Sequence, residues 1–271
     1  MAELLTSAQN PKFKRLVALR EKSRLRRDEG VFVVEGRREL EHCVEAGFEV
    51  ETVFVCSEIA SAPAGCLPSS ASSKSQEQPK TFELSKELYT KVAYREGTEG
   101  VVAIVKSLQL RLDDLHLGDK PLVIVLEGVE KPGNLGAVLR SADAAGADAV
   151  IVCDPLTDLW NPNLIRASIG AVFTVPTVCC SSAEAIAWLK ARGIRILTAQ
   201  LQDSSVYYDA DMTGPTAIVM GTEATGLTEP WRQAADAHVL IPMLGRLDSL
   251  NVSVSAAILL YEAVRQRQKR G

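Results

Sequence analysis

The chain predicts an α/β protein in two parts, a mainly parallel sheet in its C-terminal half and a smaller α/β unit ahead of it. Three observations carry this. From Pro121 onward short apolar runs alternate with helical periods, which is the pattern of a parallel sheet covered on both faces. Residues 31–56 repeat strand, helix and strand on their own. The chain has 271 residues and is 46% hydrophobic, enough for two domains of ordinary size with a real core.

In order, residues 11–27 come first as a basic helix with eight Lys/Arg (Lys12, Lys14, Arg15, Arg20, Lys22, Arg24, Arg26, Arg27) against one acid, Glu21. Val31–Val34 reads as a strand, about 36–46 as a helix stopped by Gly47, and Thr52–Cys56 and Val101–Val105 as further strands. Residues 60–80 are crowded with Ser, Ala, Pro and Gln and cannot bury enough apolar surface to order themselves, so they read as a mobile loop. Lys106–Lys120 has no clean period. These shifts divide the chain into a domain over 1–107, a linker over 108–120 and a domain over 121–271. The second domain reads as strands at Leu122–Leu126, Ala149–Cys153, Val175–Val178, Ile194–Thr198 and Thr216–Met220. Helices near 134–145, 163–170 and 183–192 and a closing C-terminal helix fall between and after them. Ligands of such sheets sit outside the carboxyl ends of the strands, which singles out the loops after Leu126, Leu197, Met220 and Leu240.

Composition excludes several classes. No apolar run approaches the ~20 residues of a membrane span, and the N-terminus, with Glu3, Lys12, Lys14 and Arg15, lacks a signal-peptide core. The expectation is a cytoplasmic protein with no membrane partner. Six cysteines without a CxxC pair and three scattered histidines do not group into a zinc-like set, so free thiols and no metal are expected. The net charge of −4 hides a polarised distribution, because the basic segment 11–27 stands apart. That segment fits either a phosphate-backbone footprint or a solvated helix face.

Three loops could carry chemistry. After the first strand of the second domain, glycines at 128, 133 and 136 give GxxG, neither the GxGxxG of a dinucleotide site nor a P-loop. An oxidoreductase reading is therefore disfavoured. Asn134 and Arg140 there either bind an oxyanion in a fixed fork or merely cap and salt-bridge the helix. Gly221-Thr-Glu-Ala-Thr-Gly-Leu227 is a tight loop with glycines flanking one carboxylate, Glu223. In Ile241–Glu262, Gly245 relaxes the turn, Ser249 occupies the N-cap position, and Leu250, Val254, Ile258 and Tyr261 follow at helical spacing. Leaving one sheet on one side, the loops describe one pocket. It holds no Cys/His dyad or Ser/His/Asp order, and His238 reads as a satisfied residue of an apolar strand.

Asn134-Leu-Gly-Ala-Val-Leu-Arg140, Gly221-Thr-Glu223 with Gly226-Leu227, and Ile241-Pro-Met243 with Ser249-Leu-Asn-Val-Ser253 resemble, in order and spacing, the three motifs of the SpoU-type RNA 2′-O-ribose methyltransferases of the SPOUT class. The resemblance covers roughly the last 150 residues. It implies a trefoil-knotted, mainly parallel C-terminal α/β domain that holds S-adenosylmethionine in a bent form, and a homodimer whose active site draws on both subunits. It implies a cofactor cradle at Gly221, Ile241, Met243 and Leu250, with Thr198–Ala199 closing over it, and catalytic or substrate-facing roles for Asn134, Arg140, Glu223, Ser249 and Asn251. Asn10-Pro-Lys12 and Phe32-Val-Val-Glu-Gly-Arg37 resemble the small RNA substrate-binding domain that precedes many of these enzymes, which makes Lys12, Lys14, Arg15, Arg24, Arg26, Arg27 and Arg37 the RNA-binding candidates.

The implied reaction is an in-line methyl transfer to a ribose hydroxyl, with ribosomal RNA preferred over transfer RNA because a whole recognition domain is present. Transfer RNA and a silent RNA-binding protein on the same fold are the alternatives. Arg140 is the family's candidate for activating the hydroxyl, but a guanidinium stays protonated with a pKa above ~12. The role expected for Arg140 is to pin the adjacent phosphate and stabilise the developing alkoxide while Asn134, Ser249 and Asn251 fix the ribose.

Overall fold

The computed structural model describes residues 2–60, 78–93, 99–222 and 225–268. It divides into two compact units, one of residues 1–108 together with 159–174, the other of 109–158 and 175–271. Most of the Ser/Pro-rich stretch expected to be a mobile loop lies outside the described residues.

The first unit is a five-stranded mixed sheet with helices against it. Its elements are β1 (Glu3–Leu5), α1 (Pro11–Glu21), α2 (Ser23–Glu29), β2 (Val31–Glu35), α3 (Arg37–Glu45), β3 (Val50–Val55), β4 (Lys80–Leu84), α4 (Lys86–Val92) and β5 (Val101–Lys106). The sheet order is β1-β4-β3-β5-β2, with β4 parallel to both neighbours and β5 antiparallel to both of its own. β1, β4 and α4 carry too little periodicity to be read from the sequence. The basic segment is two helices, not one. Lys22 is extended at φ −106°, ψ 104°, and breaks it.

Residues 159–174 fall between two strands of the second unit in sequence, yet they belong to the first. Trp160 stacks on Phe32 with ring centroids 4.3 Å apart and meets Phe48 edge-on at 5.6 Å, and Phe173 closes the group at 5.8 Å from Phe32. Four aromatic rings bury a large apolar area and favour these offset and edge geometries. The helix expected near 163–170 is therefore a piece of the first unit, in two short turns, α6 (Pro162–Ser168) and α7 (Ala171–Thr174).

The second unit contains β6 (Leu122–Glu127), α5 (Pro132–Ala144), β7 (Ala149–Cys153), β8 (Thr177–Cys180), α8 (Ser182–Ala191), β9 (Arg195–Ala199), β10 (Ser205–Val206), β11 (Thr216–Met220), α9 (Glu229–Ala234), β12 (Ala237–Leu240) and α10 (Val252–Gln268). Its seven strands run in the order β10-β12-β9-β11-β6-β7-β8, and every neighbouring pair is parallel. β6, β7 and β11 are buried at every position, as the apolar runs demand of strands covered on both faces. The expected α/β class with a parallel sheet is borne out.

Two details of α10 correct the sequence reading. Its cap is Asn251, whose Oδ1 accepts from Ser253 N at 3.0 Å, so Ser249 lies two residues ahead of the cap. Its buried face is Val252, Ala256, Leu259, Leu260 and Ala263, while Leu250, Val254 and Tyr261 are exposed. Gly245 is not in the left-handed region either, so its turn does not require glycine.

Candidate active site

At the carboxyl end of the second unit's sheet, the loops after β9, β11 and β12 and the first turn of α10 surround a cavity of about 420 Å³. Ala199, Gly221, Ile241, Met243, Ser249 and Leu250, six of the residues expected there, line it. Beside it a smaller hollow of about 140 Å³ is bounded by Gly128, Lys131 and Asn134, and the two share Gly221, Thr222 and Val252. Strand ends that converge on one rim account for this gathering of residues from 128 to 255.

The loops are tied to one another. Glu127, buried at the end of β6, accepts from Thr228 N at 2.8 Å and Thr228 Oγ1 at 2.6 Å. Asn251 Nδ2 donates to Asn134 Oδ1 at 3.1 Å, joining the start of α10 to the first turn of α5. Gln200 N donates to Val239 O at 3.0 Å, tying the start of the β9 loop to strand β12. Within the β11 loop, Thr222 and Gly226 exchange backbone bonds of 3.2 and 3.0 Å. That closure is why Gly221 and Gly226 are glycines. A Cβ on Gly221 would lie 2.2 Å from the Gly226 carbonyl carbon, and Gly226 itself sits at φ +68°.

Other expected residues fall elsewhere. The Thr198 side chain is fully buried and its Oγ1 lies 2.6 Å from His238 Nδ1, so Thr198 does not face the cavity, and His238 is the satisfied residue expected. Arg140 is exposed, borders neither hollow and has no hydrogen-bond or ion-pair partner among the described residues. Glu223 lies outside the described residues. Five cysteines are free thiols, three of them buried, and Cys66 lies outside the described residues. Burial pushes the Cys43 thiol well above the ordinary thiol value, which keeps it protonated.

Sequence reading missed several polar residues of the cavity, Gln200 and Arg232 among them. Gln200 Oε1 and Arg232 Nε are buried and have no hydrogen-bond partner among the described residues. Gln200 stands three positions after the strand end that marked its loop, so extending that loop would have found it. Arg232 sits in a six-residue helix with Glu229, where a pair of charges looks like an ordinary solvated face.

In the first unit the basic candidates separate by environment. Arg26 is 3% exposed, and its guanidinium donates to the Leu19 and Arg20 carbonyls at 2.6 and 3.0 Å. It satisfies the open carbonyl end of α1 and presents no charge to a ligand. Arg15 is held by Glu29 and Glu51, Arg37 by Glu41, and Lys12 pairs with Glu3 and lies 4.1 Å from the Phe82 ring centre. Arg24 reaches Asp28 at 3.5 Å with both side chains mostly exposed, and Lys14 and Arg27 are exposed.

Residues 121–261 match the model of the SpoU rRNA methylase family, which is more than half of the chain. The chain belongs to that family. Residues 10–103 match a second model, described as the MRM3-like substrate-binding domain. Among relatives, a 23S rRNA (guanosine-2′-O-)-methyltransferase RlmB of Ralstonia nicotianae is 41% identical over 65% of this chain and 73% of its own length. A 23S rRNA (uridine(2479)-2′-O)-methyltransferase of Streptomyces viridochromogenes is 33% identical over 96% of this chain and 92% of its own. Among solved structures, an AdoMet-bound rRNA methyltransferase from Sinorhizobium meliloti superposes with a TM-score of 0.85 at 28% identity, covering 97% of this chain and 98% of that one. The expected methyltransferase class and the expected cofactor, S-adenosylmethionine, are borne out. This SpoU-family chain has residues that fit that cofactor. The cavity volume is in the range of small-molecule sites, a glycine cradle lets backbone approach a ligand, and Gln200 and Arg232 add polar side chains to the lining.

Proposed function

We propose that this chain methylates a ribose 2′-hydroxyl of ribosomal RNA, using S-adenosylmethionine held in the 420 Å³ cavity while the ribose sits in the adjoining hollow beside Asn134. The observation that carries it is the shared wall. Gly221, Thr222 and Val252 border both hollows, so a methyl donor in one lies next to a hydroxyl in the other. The cofactor supplies an electrophilic methyl group on a sulfonium. The chain supplies position and charge. Asn134 and Asn251, bonded to each other, hold the ribose, and Ser249 at the cavity edge offers a further hydroxyl contact.

Arg140 lies outside both hollows, which supports a composite site in which it serves the partner protomer of a homodimer. The exposed apolar residues of α10, Val254 and Tyr261, support the same reading, because a solvated helix face would not carry them together with the exposed Leu247 and Leu250 just before the helix. In that arrangement the guanidinium pins the phosphate next to the target ribose and stabilises the developing alkoxide. Glu223 completes the set by analogy with the family motif. The trefoil knot follows from family membership. Ribosomal over transfer RNA is favoured by the match of residues 10–103 to a substrate-binding domain. Within that unit Lys14, Arg24 and Arg27 are the side chains best placed to meet phosphate. No helix among the described residues is long and apolar enough to cross a membrane, in keeping with action on RNA in the cytoplasm.

The test is Arg140→Ala. Methyl transfer to ribosomal RNA from labelled cofactor is expected to vanish while calorimetric binding of S-adenosylhomocysteine stays as in the parent protein. Equal loss of both would remove Arg140 from the chemistry. A mixture of Arg140→Ala and Asn134→Ala chains should recover part of the activity if the site is shared between protomers.

A further inference from the structure

Away from the cavity, at the β8 edge of the second unit's sheet, β7 and β8 each end on a cysteine. Cys153 and Cys180 are register partners in the parallel β7–β8 ladder. Both pack in one apolar cluster with Val178, Trp188 and Trp231, so their side chains share a face of the sheet. Cys179 alternates to the other face and is exposed. Neighbouring strands lie about 4.8 Å apart, inside the roughly 4.4–6.8 Å range of Cα separations that a disulfide spans. The Cys153 thiol donates to the Cys180 sulfur, which holds Cys180 below the ordinary thiol value and, together with burial, raises Cys153. Cys153 is buried and Cys180 partly exposed, so the residue whose thiol ionises more readily is also the more accessible of the two.

The pair adjoins a polar network. Ser182 Oγ accepts from Trp231 Nε1 at 3.0 Å and lies 2.6 Å from Asp154 Oδ2 and 3.1 Å from Glu127 Oε1. Asp154 follows Cys153 directly, with its N donating to Cys180 O at 3.0 Å, and Glu127 is the register partner of Cys153 on β6. Through Thr228 the same Glu127 carboxylate anchors the loop after β11, whose Thr225, Gly226 and Leu227 line the cavity.

We propose that Cys153 and Cys180 are a redox-active dithiol, closed to a disulfide by a hydroperoxide, and that this closure loosens the donor cavity. The Cys180 thiolate attacks one peroxide oxygen. An S–O bond forms, the O–O bond breaks, and the departing oxygen takes up a proton and leaves as water or an alcohol. The Cys153 sulfur then attacks the resulting sulfenic acid. The S–S bond forms, the S–O bond breaks, and hydroxide leaves with the Cys153 proton as water. Two electrons pass from the thiols to the peroxide, and a thiol reductant returns them. Bringing the sulfurs from hydrogen-bond contact to a covalent bond draws the ends of β7 and β8 together, shifts Asp154 and Ser182, and costs Glu127 its Ser182 partner. The thiol chemistry stands by itself, whereas the loss of affinity rests on the reading that the 420 Å³ cavity holds the donor.

The experiment treats the full chain with hydrogen peroxide, maps its cysteines by alkylation and mass spectrometry, and measures S-adenosylhomocysteine binding by calorimetry before and after. A Cys153–Cys180 disulfide is expected, with affinity lowered by roughly 5- to 10-fold, the lower end of the range for coupled sites, and restored by dithiothreitol. Cys180→Ser should form no such disulfide and keep its affinity through the same treatment, which separates the pair from oxidation elsewhere. Cys153→Ala should stop at a Cys180 sulfenic acid that dimedone traps, and if that change in the core prevents folding, Cys180→Ser decides alone. Cys153 and Cys180 both remaining open to alkylation after peroxide, or a new bond joining Cys179 to Cys180, would overturn the proposal. Gly221→Ala keeps the two levels of inference apart. If it weakens S-adenosylhomocysteine binding while the Cys153–Cys180 disulfide does not, the link between the pair and the cavity is refuted. If it binds as the parent does while peroxide still closes the disulfide, the cavity reading fails and the thiol pair stands.

Discussion

Replacing Gly221 by alanine tests whether the β11 loop is rigid backbone that a ligand reads directly. The added Cβ would lie 2.2 Å from the Gly226 carbonyl carbon, 2.3 Å from its oxygen and 2.5 Å from Leu227 N, where an ordinary contact begins at 3.4 Å. All three atoms are backbone, so no side-chain rotation relieves the clash. The loop has to open by more than an ångström, and the Thr222–Gly226 bonds of 3.2 and 3.0 Å are what hold it closed. Losing two such bonds costs about 2 kcal/mol, and residual overpacking raises the total to about 2–4 kcal/mol. For a unit of this size that lowers the melting temperature by roughly 5–15 °C, read by differential scanning calorimetry. Because Gly221, Thr222, Thr225 and Gly226 also line the cavity, S-adenosylhomocysteine affinity should fall together with stability. Gly245→Ala is the control, since nothing lies within 4 Å of its Cβ position and its backbone is not left-handed. A Gly221→Ala protein with the parent melting temperature and affinity would refute the reasoning.

Asn251→Ala removes both the cap of α10 and the bond to Asn134, and should cost about 1 kcal/mol in urea denaturation and most of the methyl transfer, whereas Ser249→Ala should leave stability unchanged. Thr228→Val strips one hydroxyl from the buried Glu127 carboxylate and should cost about 1–3 kcal/mol by the same measurement. Glu51 gives a pH signature. The hydrogen bond from Arg15 holds its carboxyl below the usual carboxylate range, so its contribution is complete above the unfolded value and is lost as pH falls through the lower folded value. The stability difference between the parent and Glu51→Gln, at most about 1 kcal/mol for a pair this exposed, should therefore shrink on acid titration below the unfolded carboxylate value of about 4.3.

The strands of the second unit were legible because a strand covered on both faces must be apolar at every position, and Leu122–Glu127, Ala149–Cys153 and Thr216–Met220 are. What pattern could not reveal depended on long-range partners. Trp160 and Phe173 lie amid the second unit's sequence, and nothing local says that their stacking partner is Phe32. The cap of α10 was misplaced by two residues because Ser249 and Asn251 are equally good capping types, and only the Ser253 bond separates them. Charge counting over 11–27 overstated the free basic surface, since Arg26 and Arg15 are occupied within the fold. At the site, glycines marked the cradle correctly, while Arg232 and Gln200 became visible only once the fold brought their loops to the cavity wall.

The cavity is assembled from bonds that join residues far apart in the chain. Glu127 to Thr228 spans 101 positions and Asn134 to Asn251 spans 117, so neither loop pair can close before the sheet beneath it has formed. Such contacts pay loop-closure entropy late and reward it only at the end, which places site formation among the last steps of folding. The return is preorganisation. Once Thr222 and Gly226 are bridged and Asn134 is tied to Asn251, the backbone groups around the donor have little freedom left to lose on binding. A site built this way recognises its ligand mainly by backbone and shape, and polar side chains are needed only where the ligand carries charge. Among the described lining residues Arg232 and Asp248 are the charged ones, as that logic expects of a site that needs few of them.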